Sequence, residues 1–329
     1  MCGQRQTGAE TSMTDLSARR TQALSRTRFL LYENPIAGVA RRTLTDDVVS
    51  VLQRRGCSVT RLSPGADLTV LDWGRLANEQ DAIISAGGDG TLRHVAARVP
   101  QDVLPIGIIP RGTGNVLAEE IGLTRSPARI ADALMHGPAV TATGARANGQ
   151  PFYLMAGIGF DGEAVRRLDT DFKQKWGKPA YTRPVLTSLA MPEPKLRVSV
   201  DGGRQADAGW VLIANARRYG GSFTLSSHAG LHQPGLIVYL LPRGGLIRRL
   251  THLTALGLGA LERMPGVEVW PATEIEICSD FPSAVQIDGD AFGTLPLKIK
   301  WGEPKLALIV PETYAARIGA SATPALQRT

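Results

Sequence analysis

Residues 83–92 read Ile83-Ile84-Ser85-Ala86-Gly87-Gly88-Asp89-Gly90-Thr91-Leu92. An apolar run beginning at Asp81 (DAIISA) enters a glycine turn, and helical spacing follows over residues 92–99. A buried strand that passes through glycines straight into a helix is half of a βα unit. Glycine lets the main chain take positive φ and approach a phosphate with no Cβ in the way. The first N–H groups and the positive end of the following helix point at the same spot. Thr91 is placed to cap that helix or to touch a phosphate oxygen. Asp89 is out of character in a phosphate cradle, because its charge repels the ligand unless Mg²⁺ or a hydroxyl proton lies between. That mismatch points to phosphoryl transfer. The bland alternative is a tight βα turn with a capping Asp.

Further along, residues 105–115 (PIGIIPRGTGN) repeat the arrangement of strand, glycine turn and helix start. Arg111 is placed to pair with a phosphate, and Asn115 to fix the loop or contact a nucleotide. Asn34-Pro35-Ile36-Ala37-Gly38 ends an earlier apolar run, and Ser63 follows another. Parallel strands would bring all four strand ends to the carboxyl edge of one sheet, where ligands of open α/β sheets bind. Neither GxxxxGK[ST] nor GxGxxG occurs at these sites, which disfavours P-loop and ordinary Rossmann chemistry. Strand signals at 28–34, 57–62, 81–86 and 103–109 alternate with helical spacing at 45–55, 68–77, 92–99, 112–121 and 127–135. This alternation predicts an open parallel sheet covered on both faces.

From about residue 141 the pattern changes to short β-rich segments between turn signals: 152–156, 196–201, 210–214, 236–241, 267–270, 274–279, 284–288 and 295–301. These predict a β-sandwich interrupted by a helical insert at 244–262. The expected organisation is a disordered tail over 1–27, an α/β nucleotide-binding domain over 28–145, a β-sandwich over 146–310, and a tail over 311–329 with packing back onto the fold left open. The tail before residue 28 lacks the apolar core of a secretory signal, and Met13 offers an alternative start. Three cysteines without CxxC spacing suggest neither a disulfide framework nor a zinc site. With no apolar run near the ~20 residues a spanning helix needs, a cytoplasmic protein is expected. A net charge of +7 favours phosphorylated ligands, nucleic acid or an anionic membrane without choosing among them. No nucleic-acid-binding motif accompanies that charge.

Three later stretches carry candidate chemistry. Val285-Gln286-Ile287-Asp288-Gly289-Asp290 ends a strand at Asp-Gly, by itself a hairpin signal. Residues 157–165 (GIGFDGEAV) are either another turn into a helix or a stretch that brings Asp161 to a ligand or to a support network. In the insert, Leu246, Leu250, Leu253 and Leu256 or Gly257 share a helical stripe, with Arg243, Arg248 and Arg249 close by. Such a helix either lies on a membrane surface or packs its leucines into the second domain. Four residues separate His228 from His232, but Gly230 and Pro234 argue against a helix and hence against a metal pair.

NPIAG, GGDGTL and PRGTGN, followed by a β-rich half, together resemble the diacylglycerol kinase catalytic family, which includes soluble bacterial lipid kinases and is related to sphingosine and ceramide kinases. The resemblance spans roughly residues 28–310. GGDGT alone is shared with NAD kinases, whereas its combination with PxGTxN at this spacing is more specific. The resemblance implies an N-terminal open α/β domain of the NAD kinase/diacylglycerol kinase type with a C-terminal β-sandwich. It also implies ATP and Mg²⁺, and γ-phosphate transfer to a lipid hydroxyl at a membrane surface, with diacylglycerol first and ceramide or a sphingoid base next. It leaves a homodimer open.

The nucleotide residues so implied are Asn34, Ser63, Gly87, Gly88, Asp89, Gly90, Thr91, Leu92, Gly112, Thr113 and Asn115. The family's base lies in an Asp-Gly-Glu turn, so Asp290 is expected to be the catalytic base, with Asp89 organising the metal or assisting proton transfer. Asp161 and Asp288 are expected as weaker substrate contacts. Two departures stand out: Asp290 replaces Glu, and in Leu231-His232-Gln233-Pro234-Gly235-Leu236 Pro234 replaces the Asp of a structural Mg²⁺ site. No protein-held metal is therefore expected at that segment. The rival readings are an NAD-kinase-like enzyme, argued against by PxGTxN and by Val116 after Asn115, and a non-catalytic regulator that binds lipid or nucleotide.

Overall fold

A computed structural model describes residues 25–35, 42–101, 103–168, 182–221 and 223–319. Most of the expected tails and residues 36–38 of the Asn34–Gly38 motif lie outside the described residues.

The first strand shows why the N-terminal lobe is layered. In β1 (Arg28–Glu33), Phe29 and Leu31 face one buried layer while Leu30 and Tyr32 face the other. Every second residue meets a different helix layer, as in a parallel sheet covered on both sides. One layer is α1 (Arg42–Arg54), whose Val48, Val49 and Leu52 share one face. Beyond it come β2 (Ser58–Arg61) and α2 (Trp73–Glu79). The helix expected at 68–77 is broken by Asp72, whose carboxylate caps a fresh start by accepting from the Arg75 amide at 3.0 Å. Next are β3 (Ala82–Gly87), α3 (Asp89–Ala96), β4 (Ile106–Pro110), α4 (Val116–Glu120) and α5 (Pro127–His136). The parallel order is β2-β1-β3-β4. Helices α1 and α5 cover one face, α3 and α4 the other.

The chain then crosses into the second lobe through β5 (Ala139–Ala147), β6 (Gln150–Phe152), β7 (Met155–Ile158), α6 (Phe160–Arg166) and α7 (Thr182–Leu189). It continues with β8 (Leu196–Val200), β9 (Arg204–Ala208), β10 (Trp210–Ala214), the short β11 (Arg218–Tyr219) and β12 (Phe223–Thr224), then β13 (Leu236–Leu241) and α8 (Gly245–Gly257). It ends with β14 (Glu268–Ala272), β15 (Glu274–Ser279), β16 (Ala284–Ile287), β17 (Asp290–Thr294), β18 (Leu297–Ile309) and α9 (Glu312–Arg317). An antiparallel sheet, β14-β13-β10-β7-β16-β17, packs on β18-β15-β8-β9 and β5-β6. The architecture is thus an α/β domain followed by a β-sandwich.

Two features join the lobes. The first is β18, expected to stop near residue 301 at Gly302. It runs instead to Ile309, pairing with β15 at its start, with β4 near its end, and with β5 on both sides of an irregularity between Trp301 and Lys305. Its Leu297 and Ile299 belong to the sandwich core, while Leu306 and Leu308 belong to a core shared with Leu30 and Ile106. The second is that shared core itself, which extends to Tyr239, Ala255 and Leu256.

Parts of the expected tails also join the fold. Arg26 Nη1 donates to the Gly137 carbonyl at 2.8 Å, and the Thr27 amide donates to Asp81 Oδ2 at 2.9 Å. In α9, Tyr314 and Ala315 are buried and Arg317 donates to the Glu120 carbonyl. Among the described residues no helix is long and apolar enough to cross a membrane.

Candidate active site

The carboxyl ends of β3 and β4 form one platform. The Arg111 and Gly112 amides both donate to the Gly87 carbonyl, at 2.8 and 3.3 Å. Gly88 and Gly112 lie back to back: a Cβ on Gly112 would come within 2.6 Å of Gly88 Cα. At Gly87 a Cβ would meet Thr91 Oγ1 at 2.2 Å, so the turn can close only around glycine. Helix α3 begins at Asp89, three residues before the periodic pattern suggests, because the glycine turn is itself the first helical turn. The Thr91 and Leu92 amides close this turn on the Gly88 carbonyl, at 3.0 and 3.1 Å.

Polar side chains hold the platform from below. Asp89 accepts from the Val116 and Leu117 amides at 2.9 and 3.0 Å, placing a negative charge at the N-terminus of α4. Both carboxylate oxygens thus tie the first loop to the second and cap α4. Asn115 sits in the left-handed region (φ 48°), which Asn tolerates, and donates to the Gly112 carbonyl at 2.6 Å. Asn34 Nδ2 donates to Thr91 Oγ1 at 3.0 Å.

Arg111, expected to meet a phosphate, is instead fully buried and paired with Glu33 beneath the sheet edge. The Leu92 side chain is core, packed with Val95, so only its main chain belongs to the loop. Ser63 is exposed in a turn whose Gly65 approaches Pro35, next to the platform. Thr113 and Gly114 are half-buried at the rim.

Opposite the platform stands the hairpin β16–β17. Ile287 pairs with Asp290 across a two-residue turn, with Asp288 and Gly289 at φ 50° and 81°. Both residues are left-handed, as a type I′ hairpin requires. The hairpin reading and the catalytic reading of Asp288-Gly289-Asp290 are thus compatible. Asp288, at 2% exposure, accepts from the amides of Tyr153, Leu154 and Met155 at 3.0, 2.8 and 3.1 Å. Burial pushes its carboxyl up to about 6, against the pull of Arg93 and these amides.

The turn is gripped from its other side as well. Gln286 Oε1 accepts from the Gly289 amide at 2.8 Å, while Gln286 Nε2 donates to Asp161 Oδ2 at 2.6 Å. The Tyr219 hydroxyl donates to Asp161 Oδ1. Burial pushes the Asp161 carboxyl up, opposed by the bonds from Tyr219 and Gln286. A Cβ at Gly157 would overlap Asp161 Oδ2 at 1.7 Å, which explains the glycine there. The oxygens of Asp161 and Asp288, expected as substrate contacts, are engaged inside the protein, where they support the turn.

What the turn presents to the cleft is Asp290, whose side chain is 48% exposed. Its Oδ2 lies 3.3 Å from where a Cβ on Gly90 would be, so the two lobes meet at glycine loop and carboxylate. The Asp side chain, one methylene shorter than Glu, still reaches the loop. Arg93, four residues after Asp89 on α3, donates to Asp290 Oδ2 at 2.7 Å and to the Ile287 carbonyl at 3.3 Å, with Asp288 at 3.8 Å. Sequence reasoning missed Arg93, because nothing local marks a partner 197 residues away. Glycine-lined amides, a guanidinium and an accessible carboxylate on facing lobes can bind a polyphosphate and accept a proton beside it.

Behind this cleft a cavity of about 350 Å³ lies among α6, α7 and α8, walled by Phe160, Met191, Trp210 and Pro242 with Arg249 and His252. His228 and His232 lie in turns, and Pro234 precedes β13. Among the described residues no three His, Cys, Asp or Glu side chains cluster to hold a metal.

The diacylglycerol kinase catalytic domain model matches residues 28–147, and the YegS C-terminal NAD kinase beta sandwich-like domain matches residues 155–311. The diacylglycerol kinase of Mycobacterium tuberculosis is 28% identical over 294 residues, covering 84% of this chain and 93% of that one. A Pseudomonas fluorescens protein named "Probable lipid kinase YegS-like" is 30% identical over 222 residues, covering 62% and 72%. The crystal structure of a diacylglycerol kinase from Bacillus anthracis shares the fold at TM-score 0.66 and 21% identity, over 88% of this chain and 98% of that one.

Proposed function

The chain belongs to the diacylglycerol kinase catalytic family of lipid kinases, and we propose that it transfers the γ-phosphate of ATP to a lipid hydroxyl. Diacylglycerol is the first acceptor to test, ceramide and sphingoid bases the next. The observation that carries the reading is the approach of Asp290 to Gly90 across the cleft.

In this reading the main chain of Gly87, Gly88, Gly90 and Leu92, with Thr91, Gly112, Thr113 and Asn115, cradles the phosphates. Asn34 and Ser63 flank the cradle. Asp290 Oδ1, which accepts no hydrogen bond among the described residues, takes the proton of the lipid hydroxyl as it attacks. Arg93 fixes Asp290 and adds positive charge beside the transferring group. Mg²⁺, when bound with the nucleotide, neutralises phosphate charge. An ion ligated mainly by phosphates and water needs no protein cage, which fits the lack of a His, Cys, Asp or Glu cluster among the described residues. Asp161, Gln286 and Asp288 act through the turn they hold.

The test is labelled ATP offered with diacylglycerol, ceramide, sphingosine and NAD, comparing the natural chain with Asp290→Asn. Phosphorylated lipid is the expected product. Labelled NADP with no lipid product would overturn the reading, and an unchanged rate in Asp290→Asn would remove the assignment of the base.

A further inference from the structure

Helix α8 reverses the usual order of polar and apolar faces. Its buried side carries Arg249 and His252 along with Ala255 and Leu256. The outward side carries Leu246, Ile247 and Leu250, at 51%, 81% and 44% exposure, with Leu258 exposed just beyond its end. The stripe expected at 246, 250, 253 and 256 is therefore divided between the two sides. A helix whose sole task were packing would turn its apolar residues inward.

Several bonds lock that rotation. Arg249 Nη1 donates to the carbonyls of Ser188, Leu189 and Met191 at 2.9, 2.8 and 3.0 Å, and Nη2 pairs with Glu193 at 3.2 Å. Glu193 also accepts from the Gly244 and Gly245 amides, fixing the helix start. The leucines and Ile247 cannot roll inward without leaving a guanidinium unserved.

Charge selects the occupant of the outer face. Arg243 and Arg248 are exposed beside it, and no acidic residue occurs from Gly244 to Leu261. Glu193, the acid nearest the helix start, is already paired with Arg249. Apolar side chains flanked by cations and free of anions match the boundary between headgroups and acyl chains of an anionic bilayer. Arg249 and His252 line the cavity described above, so α8 stands between that cavity and solvent.

We propose that the outer face of α8 docks the protein on anionic membranes, with Leu246, Ile247 and Leu250 entering the interface and Arg243 and Arg248 meeting lipid phosphates. The choice of a bilayer as occupant rests on the lipid-acceptor reading, but the test uses neither ATP nor acceptor lipid, so the two can fail separately.

The full chain is floated with phosphatidylglycerol/phosphatidylcholine vesicles and with phosphatidylcholine alone. The natural chain is expected to bind the anionic vesicles, less so as salt rises. Leu246→Ser/Ile247→Asn should lose about tenfold or more of that binding, and Arg243→Gln/Arg248→Gln roughly tenfold to thirtyfold. Both variants should keep the natural melting temperature. Failure of the natural chain to float, or undiminished binding by the apolar variant, would overturn the proposal. So would sedimentation as a dimer that Ile247→Asn dissociates, since a second copy would then be the occupant.

Discussion

At the two glycine loops the N-terminal lobe meets the cleft with main chain, and its one loop carboxylate, Asp89, is turned away to the α4 amides. At the β16–β17 hairpin the C-terminal lobe meets the same cleft with a side chain, and its inner carboxylate, Asp288, is held by three amides while Asp290 stays accessible. Each lobe thus has an aspartate in a glycine turn held by backbone N–H groups, and the hairpin offers a second one to the cleft. The difference teaches that an Asp beside glycines has no fixed role; what decides is whether local amides have already claimed its oxygens.

The largest expected effect breaks the comparison at its catalytic end. Asp290→Asn should lower lipid phosphorylation about 10²–10⁴-fold, with nucleotide binding retained, as turnover and calorimetric titration with ATP would report. On the platform side, Gly112→Ala would push a methyl group into Gly88 Cα. Nucleotide binding should fall with it, and stability by about 1–3 kcal/mol in urea unfolding. Asp161→Ala should cost about 1–3 kcal/mol by orphaning the Gln286 amide and the Tyr219 hydroxyl. Its kcat should drop more than its ATP affinity, because the loosened turn carries Asp290 and not the platform. The smallest effect separates a cap from a catalyst: Asp89→Asn should lower stability by about 0.5–2 kcal/mol and weaken nucleotide binding in step. Loss of turnover at unchanged melting temperature and affinity would return Asp89 to the chemistry.

Much of this arrangement is legible locally. Strands at 210–214, 236–241 and 274–279 coincide with β10, β13 and β15, because each is a short apolar or alternating run between turn residues. Both glycine loops and the Asp-Gly turn announce themselves for the same reason: their geometry is set by a few neighbouring residues. What pattern reading misses depends on partners far along the chain. Arg93 acquires meaning only from Asp290, and Arg111 only from Glu33 across the sheet. The inner face of α8 cannot be read from its own periodicity, since the carbonyls that receive Arg249 come from α7 and the segment after it. Strand β18 outruns its expected end at 301 because pairing with β5 resumes at Lys305 after an irregularity that contains Gly302 and Pro304.

That same strand bears on how the enzyme can move. One continuous backbone is hydrogen-bonded at one end to the sandwich and at the other to the sheet bearing the glycine platform. Swinging the lobes apart as rigid bodies would bend or unzip it, so opening and closing about a free hinge is disfavoured by the weave itself. The spacing between Asp290 and the glycine platform is therefore established when the polypeptide folds, and reactants must adapt to a gap already gauged.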